Sequence, residues 1–387
     1  MKALILDPAL HSRGGHHFNA VERLQAELAR LGITAPCLGS VAADATTRAQ
    51  LACTPVFSNS VYGRTDFADD VDKTRRELGR ALSRFGHAGL LILPCCDAVL
   101  AMALARRLRR RLIRRPVRVM LWLLYAPEEG RQENVVEAYA ALAAQAEVRA
   151  FCETAAMAET WRDVLPSTIA QRIEILPGPG LQLRPRSHKA PTEAPVLSCI
   201  GFANRAKGYR LLPDAIPRVL ERHAGVRFLV HGIVSGSDAE DEQPVFDRLS
   251  TMGSRVEVRQ NVLSNDEYRA MLAVSNLLLL PYDPAVYRVR GSGVFSDSRA
   301  MGVPVLAPRG CAFAAPAFAE GSAVALEAWT PQGLAEAIVT ALGRLDGLAE
   351  RAAQAARHLD DALGRALAAG LAPAGCRAPG EPVAGPG

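Results

Sequence analysis

Aromatic residues make up only 5% of this 387-residue chain. That scarcity argues against an all-β sandwich, whose strands draw on aromatic and β-branched side chains, whereas the abundant Ala, Leu and Arg suit helices that cover parallel sheets. No stretch of about 18 uninterrupted apolar residues occurs, so no transmembrane helix is expected. The opening MKALILDPALHSRGG is unlike an export signal, because Asp7 and Pro8 cut its apolar run short. The eight cysteines show neither a CxxC pair nor the Cys/His spacing of a metal site. Reduced thiols in a cytoplasmic protein are therefore expected, with Cys95 and Cys96 at the end of a strand.

Acid is missing from one place in particular. The segment Ala105 to Arg118 holds eight arginines and no Asp or Glu, and without them the net charge of +5 becomes −3. Leu104, Leu108, Leu112 and Ile113 recur at helical spacing, which predicts an amphipathic helix with an Arg-rich outer face. Two readings fit that face. It is either a solvated helix surface or a docking element for an anionic membrane, through Arg106, Arg107, Arg109, Arg110, Arg111, Arg114 and Arg115, each basic residue adding about 1 kcal/mol near the surface. Nucleic acid is disfavoured, because no helix-turn-helix or RNA-binding signature accompanies the patch.

The 49% apolar content supports a well-packed protein too long for one ordinary core. Strand and helix signals alternate as in stacked βα units. Residues 2–7 read as a strand, followed by the Gly14-Gly15-His16-His17 turn and a helix over 18–31. A helix over 69–85, strands over 89–94, 117–124, 147–151 and 173–176, and a helix over 155–164 complete a first half. The stretch from Leu176 to Pro195, with five prolines and two glycines, breaks the pattern as a linker. Alternation then restarts, with strands over 196–201, 226–231, 256–259 and 277–281 and helices over 211–223, 266–274 and 334–345. A final Ala-rich helix is predicted over 348–371. The expected organisation is a domain over 1–178, a linker over 179–195, a second domain over 196–350, a helix over 351–371 and a disordered Pro/Gly/Ala-rich tail over 372–387.

Arg290 to Pro308, RGSGVFSDSRAMGVPVLAP, carries the chemistry. A Gly-Ser-Gly turn precedes a helix, so backbone N–H groups of Ser292 and Gly293 can face an anion at the positive end of the helix dipole. Gly302 is a natural C-terminal glycine for that helix, and a short buried strand follows it. A second polar cluster, Gly201-Phe202-Ala203-Asn204-Arg205-Ala206-Lys207-Gly208, leaves a strand at the ligand edge of a parallel sheet.

Four segments in order over about a hundred residues resemble the nucleotide-binding half of the retaining glycosyltransferases of GT-B fold, most closely family 4. They are Gly201 with Lys207-Gly208, Leu263-Ser264-Asn265-Asp266-Glu267-Tyr268, Leu277 to Tyr282, and Ser292 to Val305. The first half matches more loosely, through Gly14-Gly15, Phe151-Cys152-Glu153-Thr154 and Leu176-Pro177. The resemblance implies an α/β chain of two Rossmann-like domains facing each other across a cleft. It implies transfer of a sugar from a nucleotide-diphosphate donor to a saccharide or lipid-linked acceptor hydroxyl with retention, the leaving phosphate taking the acceptor proton. The setting would be cell-surface polysaccharide or glycolipid synthesis at the inner face of the membrane.

On this resemblance Lys207, assisted by Arg205, stabilises the leaving diphosphate, the amides of Ser292, Gly293 and Val294 position it, and Asp297 accepts ribose hydroxyls. A helix terminus offers about 0.3 to 1 kcal/mol, against roughly 1.5 to 3 kcal/mol for a hydrogen bond to a charged group, so the cations should dominate. Gly14, Gly15, Gly201, Leu263 and Arg290 join the donor-binding set. Neither a metal nor a cofactor is implied, and Asp70-Val71-Asp72, a DxD match, reads as the start of a helix.

The chain also departs from the pattern. Paired glutamates eight positions apart are usual, and Val289 and Asp297 stand there. Phe202 replaces an arginine. Leu124-Tyr125-Ala126-Pro127-Glu128 lacks the usual histidine, and His16 or His17 is the candidate to replace it. These losses keep open the alternative of a non-catalytic nucleotide-sugar-binding or scaffolding protein. An epimerase of the same fold is disfavoured, because no carboxylate set is placed for that chemistry.

Overall fold

In the computed structural model, residues 2–13, 15–62, 64–85, 89–109, 117–127, 132–185, 194–359 and 362–371 are described. The first sheet has seven parallel strands: β1 (Ala3–Leu6), β2 (Cys37–Ser40), β3 (Cys53–Phe57), β4 (Leu90–Leu93), β5 (Arg118–Leu123), β6 (Glu147–Cys152) and β7 (Ile173–Ile175). Their order is β3-β2-β1-β4-β5-β6-β7. The second sheet has six: β8 (Val196–Ala203), β9 (Arg227–Val234), β10 (Val256–Arg259), β11 (Leu277–Leu279), β12 (Val305–Pro308) and β13 (Ala323–Leu326), in the order β10-β9-β8-β11-β12-β13. The strand order reverses between β1 and β4 in one sheet and between β8 and β11 in the other, and such switch points are where open α/β sheets bind ligands.

β1, β4 and β11 read ALIL, LLIL and LLL and are buried throughout, as strands covered by helices on both faces must be. Helices Phe67–Phe85, Ala98–Arg109 and Gln132–Ala143 cover one face of the first sheet, and His16–Arg30 covers the other. In the second domain Leu212–Arg222 and Pro331–Leu342 lie on one face, with Asn265–Val274 and Gly293–Met301 opposite.

Several elements differ from the sequence reading, among them β13 and the helices Ala45–Gln50, Gln132–Ala143 and Ala315–Glu320, which it did not contain. β2 and β3 were not expected. They are short, β2 carries Gly39 and β3 carries Pro55, which is tolerated because β3 is an edge strand. The single helix expected over 348–371 is two, Leu345–Leu359 and Ala362–Leu371. The first packs on the second domain, where the Ala353 backbone closes on Gly302. The second returns to the first domain. Ala366 and Leu367 join the core of Phe18, Val21 and Trp122, and the Arg118 guanidinium donates to the Gly370 carbonyl at 3.0 Å. An unbroken Ala-rich periodicity hid this crossing, because both helices show the same pattern to two different partners. The linker is also more structured than its composition suggests, since Leu181 and Leu183 are buried in the core of the second domain.

The Arg-rich segment is only partly described. Leu104 and Leu108 are buried on the helix Ala98–Arg109, as predicted. Arg106 pairs with Asp72 at 3.5 Å and Arg109 is exposed. Arg107 departs from the expected outer face: its side chain packs beside Gly79 and its Nε is buried. Arg110, Arg111, Arg114 and Arg115 lie outside the described residues. No helix among the described residues is long and apolar enough to cross a membrane.

Candidate functional site

The helix Gly293–Met301 is capped at both ends as its sequence demands. Ser292 stands at the N-cap with its hydroxyl accepting from the Phe295 N–H at 3.3 Å, and Gly302 closes the other end at φ 70°. The Gly293 and Val294 amides therefore remain as the unpaired donors of the first turn. Ser292 contributes the cap more than the free amide anticipated for it.

Lys207 faces this turn. The loop after β8 is fixed by Asn204, whose side chain accepts from the Lys207 N–H at 3.1 Å, and by Gly208 in the left-handed region at φ 69°, where a Cβ would collide with the Pro281 carbonyl. A Cβ on Gly201 would stand 2.8 Å from the Lys207 Nζ and 3.7 Å from Val294. The ammonium thus lies between the glycine end of β8 and the start of the helix, at the switch point of the second sheet. It sits 5.2 Å from the centre of the Tyr282 ring, and among the described residues no carboxylate pairs with it. Burial pushes its pKa down, opposed by Tyr287 and Cys199. A half-buried cation with no carboxylate partner among the described residues, beside two free amides, is arranged to receive an anion.

Arg205 is exposed on the same loop, and Arg290 is exposed on the turn before Ser292. Leu263 is half-buried on the loop after β10. Gly15 begins the helix His16–Arg30 at φ 83°, with open space where a Cβ would point; Gly14 lies outside the described residues. Asp297 sits one turn into its helix and accepts from the Tyr268 hydroxyl at 3.0 Å, with Gly180 of the linker against its other oxygen. Burial pushes its pKa up to about 7, opposed by Tyr268 and Arg269. A cavity of about 120 Å³ opens here between Asp297, Arg23 and Pro177 to Leu181.

The first domain brings its own residues to the cleft. Thr154 follows β6 and donates to the Val289 carbonyl at 2.6 Å, and Asn265 donates to Asn19 at 3.1 Å. Val289, where a glutamate was expected, thus serves as an interdomain contact. Glu153 presses its carboxylate against Gly291, leaving no room for a Cβ there, and accepts from the Gly178 N–H at 3.3 Å. Burial raises the Glu153 pKa. His16 is open to the cleft at the start of its helix, yet desolvation by the cleft walls and the neighbouring His17 lower its pKa to about 4. The two histidines converge on Tyr62, a residue no sequence signal singled out.

Asp70 and Asp72 form no metal site. Asp70 is buried and holds a loop through Asn59 and the Thr65 N–H, while Asp72 pairs with Arg75 and Arg106. Among the described residues no group of three His, Cys, Asp or Glu could hold a metal ion, and the seven described cysteines are free and buried.

Residues 194–344 match the family Glycosyl transferases group 1. The match spans the second domain, from just before β8 to the helix Pro331–Leu342. Solved structures carry the likeness across both domains. A glycosyltransferase from Rickettsia africae is 12% identical with a TM-score of 0.70, covering 95% of this chain and 97% of that one. HepE of Anabaena, solved in complex with UDP, is 16% identical with a TM-score of 0.68, covering 96% and 99%. The UDP-GlcNAc 2-epimerase of Neisseria meningitidis, bound to UDP-GlcNAc, is 10% identical with a TM-score of 0.59, covering 96% and 99%. These structural likenesses show the two-domain GT-B fold. No curated protein matches it in sequence.

Proposed function

We propose that this glycosyltransferase binds a nucleotide-diphosphate sugar with its diphosphate between Lys207 and the start of the helix Gly293–Met301, and transfers the sugar with retention to a saccharide or lipid-linked acceptor. The observation that carries the reading is the Lys207 ammonium, without a carboxylate partner among the described residues, packed beside Gly201 where the Val294 side chain also approaches at the start of the helix. Arg205 and Arg290 are the exposed cations beside it, and Gly14, Gly15 and Leu263 complete the donor set. As the glycosyl–phosphate bond breaks, its electron pair goes to the departing diphosphate, whose growing charge Lys207 and the amides stabilise. The acceptor oxygen bonds to the anomeric carbon on the same face, and its proton passes to the leaving phosphate. No step of this scheme calls for a metal. Asp297 accepts ribose hydroxyls once deprotonated. That HepE and the Neisseria epimerase were solved with UDP and UDP-GlcNAc makes uridine diphosphate sugars the first donors to try.

The acceptor is assigned to cell-surface polysaccharide or glycolipid synthesis, with Arg106, Arg109 and the neighbouring arginines holding the cytoplasmic enzyme at an anionic membrane face. Sedimentation with phosphatidylglycerol vesicles, lost when the arginines from 106 to 115 are replaced, tests that part. A thermal-shift screen against UDP-, GDP- and ADP-sugars tests the donor reading, with saturable stabilisation by one of them expected. Stabilisation followed by transfer supports the enzyme, whereas stabilisation without hydrolysis or transfer to any acceptor supports a binding protein, and no stabilisation contradicts both.

A further inference from the structure

The cleft wall of the first domain carries a connected polar chain that the donor site does not use. Asp7 follows β1 at the switch point of its sheet and is fully buried. Its Oδ1 accepts the Ala9 N–H at 3.0 Å, and its Oδ2 lies 2.9 Å from the His17 Nδ1. The His17 Nε2 is 2.8 Å from the Tyr62 hydroxyl, which also meets the His16 Nε2 at 3.0 Å and the Tyr125 hydroxyl at 3.2 Å. Hydrogen bonds satisfy the buried members of this network. It runs from a buried carboxylate to two large phenols that are 55% and 45% exposed.

The exposed end is held in place. Asn59 and Thr65 flank the Tyr62 loop and both donate to Asp70, while Arg64 pairs with Asp97 at 3.0 Å. The Trp161 indole donates to the Tyr125 carbonyl at 2.9 Å. The two phenol rings stand edge-on at 85° with centroids 6.1 Å apart, forming a corner. Leu124, the neighbour of Tyr125, packs on Gly178 beside Glu153, and Glu153 reaches Gly291 on the turn before Ser292, which sets the corner near the proposed donor site.

The donor and acceptor inventory fixes what the corner can take. With Asp7 ionised and His17 in its neutral form, the His17 Nδ1–H donates to Asp7 and Nε2 accepts the Tyr62 O–H. Tyr62 has no other proton, so the Tyr125 O–H and the His16 Nε2–H must donate to its oxygen. What remains outward is the Tyr125 oxygen and the His16 Nδ1, both acceptors. A neutral His16 is consistent with its lowered pKa. Such an end favours a ligand that donates hydroxyl protons and that can lay an apolar face on an aromatic ring.

We propose that Tyr125, His16 and Tyr62 form the acceptor subsite, which binds a neutral sugar by its hydroxyl groups, with Asp7 and His17 as positioning residues that fix the direction of every hydrogen bond in it. The inference rests on the transferase reading for its place in catalysis, but the sugar site stands on this geometry alone. Binding of the methyl glycosides of glucose, galactose and mannose, measured by saturation-transfer NMR with and without UDP, tests it. At least one should bind the wild type. Tyr62→Phe and His17→Gln should each weaken it about tenfold while UDP affinity holds, with the melting temperature of Tyr62→Phe unchanged, a split that a merely structural role would not give. A wild type that binds none of the three glycosides overturns the proposal, as do Tyr62→Phe and His17→Gln proteins that bind them normally. A wild type that binds glycosides in a Tyr62-dependent manner but no nucleotide supports this site and overturns the donor reading instead.

Discussion

The Lys207 ammonium occupies the space that a side chain on Gly201 would need: a Cβ there would stand 2.8 Å from Nζ. Gly201 also adopts φ 140°, a conformation that side-chain-bearing residues rarely take. Gly201→Ala should therefore act twice, costing about 1 kcal/mol of stability and displacing Lys207 from the diphosphate position. Chemical denaturation and nucleotide titration of the variant check both effects. Loss of stability with unchanged nucleotide affinity would separate Gly201 from the donor site.

His16 and Asp297 should bend the pH profile of stability in opposite directions. The folded pKa of His16 is lowered from 6.5 to about 4, so the unfolded chain takes up its proton first, and stability falls as pH drops through that window. Asp297 is raised from 3.8 to about 7, so the folded chain holds its proton longer, and stability falls as pH rises through that window. Denaturation from pH 3.5 to 8 should show His16→Gln relieving the acid loss and Asp297→Asn relieving the loss toward neutrality. Curves parallel to wild type would refute these environments.

The returning C-terminal helix should stabilise the domain it joins. Leu367 is fully buried against the first domain although it lies at the far end of the chain. Leu367→Ala should cost about 2 to 5 kcal/mol, the usual range for a buried leucine. Hydrogen exchange should register the loss in β1, β4 and β5, and exchange that changes only in the second domain would contradict the assignment.

The capped helix after the Gly-Ser-Gly turn was legible because its signals are local. Ser292 and Gly302 sit at the two ends of one nine-residue helix, and Gly201 lies near the end of β8 with Lys207 in the loop directly after it, so composition and spacing specify them. The Tyr62 network was not legible. His17 meets partners 10 and 45 positions away, and Tyr62 and Tyr125 are 63 apart on loops after different strands. Tyr62 follows β3, an edge strand interrupted by Pro55, and without that strand there was no sheet edge on which to place it. Asp7 drew notice only for ending an apolar run, and its burial beneath His17 gives it a different meaning. The departure at Val289 is likewise intelligible only in three dimensions, where its carbonyl serves Thr154.

The claim that Lys207 holds the donor diphosphate is tested most directly by titrating UDP, or the donor found by thermal shift, into wild type and Lys207→Ala by calorimetry, with turnover measured alongside. Loss of one charge-assisted contact pair at the leaving group should lower turnover by about a hundredfold, equivalent to roughly 2.7 kcal/mol, and weaken nucleotide binding with the fold intact. Wild-type affinity and turnover in the Lys207→Ala protein would contradict the account.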